Sequence, residues 1–240
     1  MEQLSYILGE PEYIDGVGDL FPVKLKEYDR FIRCSAPLLY SKAHFGEDVQ
    51  SYSLLELLVL GLKDETLISS LELTFGMVLK KEIAFHVDRV SGSFSFLSED
   101  GASIDLHNYD RIRSVIMRMN LLFEPRVYKN KLVQEWAIKA MQARAKNGIK
   151  LELEDMLSTI SVYTGKHYWD LAEYTIYQLR HDFNRIGKLK EYETNIAFKC
   201  AGADIGGMDY FAESIDLFRN PYDDLFKSGK KLSKLDNSMK

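Results

Sequence analysis

Cysteine is scarce in this sequence: Cys34 and Cys200 are the only two. Two cysteines so far apart build neither a disulfide framework nor a CxxC metal site, so a reducing compartment is the simplest reading. Both stand in apolar patterns and read as inert core thiols. Proline and glycine are few, 5 and 15, which argues against a fibrous or disordered chain. Long apolar runs are missing as well. The longest, around Leu54 to Leu62, is interrupted by Glu56 and falls short of the roughly 20 residues of a membrane span. The start, MEQLSYILGEPEYIDG, lacks a basic segment followed by an apolar core, so no signal peptide is expected. Nor is there an excess of positive charge. With 31 Lys and Arg against 36 Asp and Glu the net charge is −5, which makes nucleic acid an unlikely general partner. These absences leave a protein expected in the cytoplasm of the cell that makes it, with no membrane partner.

What is present suits a folded chain. Of the 240 residues 46% are hydrophobic and 12% aromatic, enough for one large domain or two small ones. The periodicity predicts an α+β fold, mainly α: a helical bundle with a small antiparallel β meander at about 82–106 and a short N-terminal β hairpin. Residues 1–24 read as a β element, with PEYI and LFPVKL extended around the turn DGVG. Residues 25–125 read as helices plus the meander. Tyr28, Phe31, Ile32 and Cys34 share one helical face, and Pro37 breaks that helix. Residues 52–63 form a very apolar helix. A further helix at 65–80, capped by Asp64, carries Leu67, Leu71, Phe75, Val78 and Leu79 at spacings of three and four. In the meander Ile83, Phe85 and Val87, then Phe94 and Phe96, then Ile104 and Leu106 alternate. A helix capped by Asn108 or Asp110 runs to Met119.

Residues 126–203 read as a C-terminal helical bundle. Val133, Trp136, Ala137, Ala140 and Met141 form one stripe, and Leu153, Met156, Leu157 and Ile160 another, closed by Thr164-Gly165. Trp169, Ala172, Ile176, Leu179, Phe183 and Ile186 follow at spacings of 3, 4, 3, 4 and 3, the seam of one amphipathic helix expected to be buried. Tyr192, Ile196 and Cys200 are expected inward on the last helix. Residues 204–240 are a partly flexible tail, acidic with spaced aromatics over 204–224 and then basic and poor in packing residues over 225–240, with 219–240 expected to be poorly ordered when alone.

No motif with catalytic or metal-binding spacing appears. TGKH at 164–167 has Ile160 where a phosphate loop needs its first glycine. GADIGG and GVGDLF fail the dinucleotide pattern and read as a helix end and a hairpin turn. The histidines, His44, His86, His107, His167 and His181, stand in no HxH or HExxH spacing. The expectation is therefore a chain that is not an enzyme and holds no cofactor and no metal. Two other classes stay open. One is an enzyme using Glu152, Glu154 and Asp155, which also read as an ordinary helix N-terminus. The other is a nucleic-acid regulator using Arg111, Arg113, Arg118, Arg126, Lys129 and Lys131, which also read as a solvated helix face.

Three stretches carry a resemblance: GEPEYIDG with LFPVKLKEYDRF near the start, LEDMLSTISVYTGKHYWDLAEYTIYQLRHDFNRI with its helix, TG and aromatic-rich helix, and EYETNIAFKCAGADIGGMDYFAESID with its small-residue stop and acidic aromatic tail. In this layout the chain resembles the tail assembly chaperone-type and small tail-morphogenesis proteins of phages of Gram-positive bacteria. The resemblance implies a non-enzymatic protein of virion morphogenesis that binds the tape-measure and tail-tube proteins or associates with itself. A permanent tail or baseplate component of the virion is the neighbouring reading. The partner-binding residues expected from the sequence are Met208, Tyr210, Phe211, Ile215, Leu217 and Phe218, with the apolar helix 54–62 as a further exposed patch.

Overall fold

The computed structural model describes residues 2–46, 49, 51–62, 64–88, 92–128, 131–147 and 151–220. The fold is α+β and mainly α, with one two-stranded and one three-stranded antiparallel sheet among those residues. Helix α1, Glu2–Leu8, comes first, where the sequence predicts β structure alone over residues 1–24. Strands β1, Glu12–Ile14, and β2, Gly18–Leu20, follow as a hairpin with Ile14 opposite Gly18. The second strand ends before Pro22, which has no N–H to give to a ladder. Its last ladder residue is followed instead by Phe21, whose N–H donates to the Val78 carbonyl.

Helix α2, Leu25–Cys34, buries Tyr28, Phe31 and Cys34 and leaves Ile32 outside. Pro37 ends the pattern as expected, and two 3-10 turns occupy Ala36–Leu39 and Lys42–His44. The apolar segment at 54–62 begins with α3, Leu54–Glu56, whose Ser53 cap accepts from the Glu56 N–H while the Glu56 carboxylate takes the Ser53 N–H. It continues as a π-helical turn over Leu57–Gly61. Leu54, Leu55, Leu57 and Leu58 are buried, so this segment is core, and only Leu60 and Leu62 face outward. The expectation of an exposed patch there is corrected: the run is apolar because the core needs it.

Helix α4, Glu65–Leu79, starts on the Asp64 cap, whose carboxylate accepts from the Thr66 N–H at 2.9 Å. All five of its predicted core residues are buried. Strands β3, Ile83–Val87, β4, Phe94–Ser98, and β5, Ser103–Ile104, form the meander in sequence order. Phe75 of α4 meets Phe96 of β4 edge-on at 5.1 Å and Tyr109 of the next helix at 6.3 Å, the geometry that aromatic quadrupoles favour. The β3 edge is blunted by α4, because the Glu72 carboxylate accepts from the Phe85 N–H at 2.7 Å. Val87, beyond that cover, is exposed.

Helix α5, Tyr109–Met119, runs into a buried asparagine. Asn120 is fully buried. Its side-chain oxygen accepts from the Val23 N–H at 2.9 Å, its amide donates to the Ile116 carbonyl at 2.9 Å, and its own carbonyl accepts from the Tyr28 hydroxyl at 3.2 Å. One residue thereby ties the hairpin exit, α2 and the end of α5 together. Burial pushes the Tyr28 hydroxyl up to about 12, so it stays a donor across the physiological range. Replacing Asn120 by Ala leaves the Val23 N–H buried without a partner, a cost of about 1–3 kcal/mol. Urea melts of Asn120→Ala are expected to show that loss with the native circular dichroism retained.

Candidate functional site

The remaining helices are α6, Lys131–Asn147, α7, Leu153–Thr164, α8, Tyr168–Ala172, and α9, Ile176–Cys200. Gly165, at φ +73°, closes α7 in the left-handed conformation that glycine adopts without strain. The continuous helix expected through WDLAEYTIYQL, residues 169–179, is split. Glu173 and Tyr174 leave the helical path, and Thr175 starts a new helix as its N-cap, accepting from the Gln178 N–H at 3.2 Å while the Gln178 side chain accepts from the Thr175 N–H at 2.8 Å. Two backbone contacts hold the break: a bridge between Lys24 and Thr175, and the Leu25 N–H donating to the Tyr174 carbonyl at 2.8 Å. The seam is therefore cut. Ile176 and Leu179 are fully buried and Phe183 is half-buried, but Trp169, on the far side of the break, is 68% exposed and stacks on His167.

Helix α6 departs further from expectation. Of its predicted stripe only Ala137 is buried, while Trp136 is 69% exposed and Ala140 and Met141 face solvent. Along α9 Ile196 and Cys200 are exposed and Tyr192 half-buried, so Cys200 is no core thiol, in contrast to Cys34. The stripes of α6 and of the end of α9 keep a helical period, whereas that of Trp169 to Ile186 is broken between two helices. The side to which each stripe turns is set by neighbours that the period does not name.

The expected partner-binding segment lies along α9. After α9 the chain turns at Gly202, φ +89°, and comes back without regular structure. Phe211 packs on Tyr192 with ring centres 5.5 Å apart. Phe218 reaches Tyr177 at 5.6 Å and Tyr6 of α1 at 5.4 Å, with the Arg118 guanidinium 4.9 Å from its ring centre. Between them Ile215 is 7% exposed. Arg185 donates to the carbonyls of Phe211 and Glu213, and the Lys188 ammonium meets the Glu213 carboxylate at 3.1 Å. The strip runs back along α9 from Tyr192 to Tyr177, and it opens with a turn in which the Glu213 N–H donates to the Tyr210 carbonyl at 2.9 Å. Of the six expected residues, Leu217 and Phe218 pack on this chain's own core, Ile215 is buried, Met208 and Phe211 are half-buried, and Tyr210 is exposed. Arg185 and Lys188 stand in no motif that the sequence singles out. Their signal was the run of basic side chains on α9 facing a tail with Asp209, Glu213 and Asp216.

Other candidate groups are engaged locally. Asp155 accepts from the Glu152 N–H at 3.0 Å, a cap at the start of α7. Arg113 is turned inward, donating to the Leu38 and Tyr40 carbonyls and to Glu124, so it is no part of a solvated basic face. Lys129 and the basic stretch 225–240 lie outside the described residues. The groove of about 970 Å³ between α2, α4 and β3 is lined by Lys26, Lys81, Glu72 and their neighbours. These three are held by Glu173, Asp100 and the Phe85 N–H respectively. Among the described residues no three His, Cys, Asp or Glu side chains gather as a metal-ligand set, and no helix is long and apolar enough to cross a membrane.

His181 stacks beside Tyr177 on α9, with ring centres 6.1 Å apart. Burial and then the Arg185 charge lower its pKa below the ordinary 6.5, against the opposing pull of Asp182. A base depressed on folding binds fewer protons in the native state. Its stabilisation is complete above pH 6.5 and is lost as the pH falls through the folded value. Thermal melts between pH 7.5 and 5 are expected to show a falling melting temperature, and His181→Gln is expected to flatten part of that slope.

Residues 142–216 match the family model described as the YomV second domain. That stretch takes in the end of α6, all of α7, α8 and α9, and the returning segment as far as Asp216. The chain is also similar to the SPbeta prophage-derived uncharacterized protein YomV of Bacillus subtilis (strain 168), with 27% identity over 124 residues. That alignment covers 51% of this chain and 52% of YomV, so the chain spans about half the length of the relative it matches. No solved structure matches it. The similarity is to a phage-derived protein.

Proposed function

We propose that this chain is a non-enzymatic protein of phage morphogenesis that works by binding other proteins, as a tail assembly chaperone does. The observation that carries this reading is the exposure of both tryptophans, Trp136 and Trp169, outside the hydrophobic core cluster. Large aromatic side chains outside the core are the anchors from which protein interfaces are built. Val162 and Tyr168, on α7 and α8, widen the exposed apolar surface. The phage-derived relative supports the setting, and the layout of helix, TG, aromatic helix and acidic tail supports the tail-assembly role. The partners on this reading are the tape-measure and tail-tube proteins, met in the host cytoplasm or in the assembling virion, with Tyr210 and Met208 as accessory contacts.

The test is co-expression of the tagged chain with the tape-measure and tail-tube proteins of the same phage genome. At least one of them is expected to co-purify. Trp136→Ala and Trp169→Ala are each expected to weaken capture by about tenfold or more, the scale of a hot-spot truncation, with an unchanged melting temperature. Retention of neither tail protein by the unaltered chain overturns the assignment.

A further inference from the structure

The returning segment is bound to α9 in the way a peptide is bound to a receptor. A core element buries one face continuously and satisfies its backbone in a helix or ladder. Residues 208–218 do neither. They touch the body through separated anchors, Phe211, Ile215 and Phe218. Their carbonyls at Phe211 and Glu213 are taken by one guanidinium, that of Arg185, which reads main chain and not sequence. The charges are complementary: Arg118, Arg185 and Lys188 rim the groove, and Asp209, Glu213 and Asp216 lie on the segment.

The connection to α9 is loose. Nothing lies within 4 Å of where a side chain at Gly206 or Gly207 would stand. A gap of about 120 Å³ separates Gly207 and Asp209 from Lys188, Glu191 and Asn195. The linker therefore makes few contacts that would be lost if the segment left its own groove. Every contact made within one chain can be made identically by the same segment of another copy, the condition for segment exchange.

We propose that the groove formed by α1, α5 and α9 is a receptor for the acidic, aromatic segment 204–220 and accepts it from a second copy of this chain as well as from its own. The intrachain tether sets an effective concentration on the order of millimolar for a short flexible linker. The closed monomer is therefore the dilute form, and exchange grows where copies are crowded together.

Two experiments on the full-length chain test this independently of any tail-protein partner. In the first, Ile215→Ala/Phe218→Ala loosens the intrachain segment and leaves the groove intact. A fluorescent peptide of residues 204–220 is expected to bind this variant at least about tenfold more tightly than the unaltered chain, and adding Arg185→Ala is expected to remove most of that gain. A folded double variant that does not bind the peptide overturns the proposal. In the second, chains carrying Lys188→Cys are mixed with chains carrying Glu213→Cys, both with Cys200→Ser. Interchain disulfides are expected to rise with protein concentration well above those of a control pair, Glu27→Cys with Glu213→Cys. Yields equal to the control up to roughly millimolar protein overturn the proposal, even if the loosened variant of the first experiment fails to fold.

Discussion

The start of α9 at Thr175 is the constraint on which the C-terminal half depends. Thr175 is fully buried yet polar, and its hydroxyl caps a helix whose first N–H groups would otherwise be orphaned in the interior. The same residue bridges Lys24, the neighbouring Tyr174 carbonyl receives the Leu25 N–H, and the Gln178 side chain donates to the Ile7 carbonyl at 2.7 Å. The origin of α9 is thereby fixed against α2 and α1 at once. Its direction, the place of Tyr177 beside Tyr6, and the groove in which Phe218 rests follow from that anchor.

Anchoring α9 there divides the apolar residues into two populations. One cluster, drawn from Tyr6 through Leu179, forms the core around Phe31, Phe75, Phe96 and Tyr109. The second, which includes Trp136, Val162 and Trp169, faces solvent. Exposed apolar area of this kind costs hydration free energy of roughly 25 cal/mol per Å². A bound partner recovers that cost, which is why the exposed tryptophans carry the functional reading. The tail belongs to neither population fully, since its anchors are covered while its backbone stays outside any ladder.

Charge has a positioning part in both. Arg113 clamps the 3-10 turn after α2 through two carbonyls, and Arg185 clamps the tail through two carbonyls. In each case a guanidinium takes two main-chain carbonyls that no α-helix or strand ladder satisfies. A lysine, with a point charge and no planar fork, holds two such acceptors less well.

The sequence by itself determined the local elements wherever period and capping agreed. The helix of Leu67, Leu71, Phe75, Val78 and Leu79 with its Asp64 cap, the alternating strands of the meander, and the end of α7 at Gly165 all lie within reach of i, i+3, i+4 or i, i+2 spacing. It also marked the aromatic tail as unlike the rest. The missed α1 was short and had no strong period. What only the tertiary structure decided was the side to which each stripe turned. Trp169 and Ile176 keep a seven-residue helical spacing in sequence, but the hydrogen bond from the Leu25 N–H to Tyr174 pulls the chain out of the helix between them. The contacts that break the stripe come from residues about 150 positions away, and a repeat of 3.6 residues holds no information at that distance. The groove for the tail is non-local in the same way, because Tyr6, Arg118 and Tyr177 become neighbours only after three helices have packed.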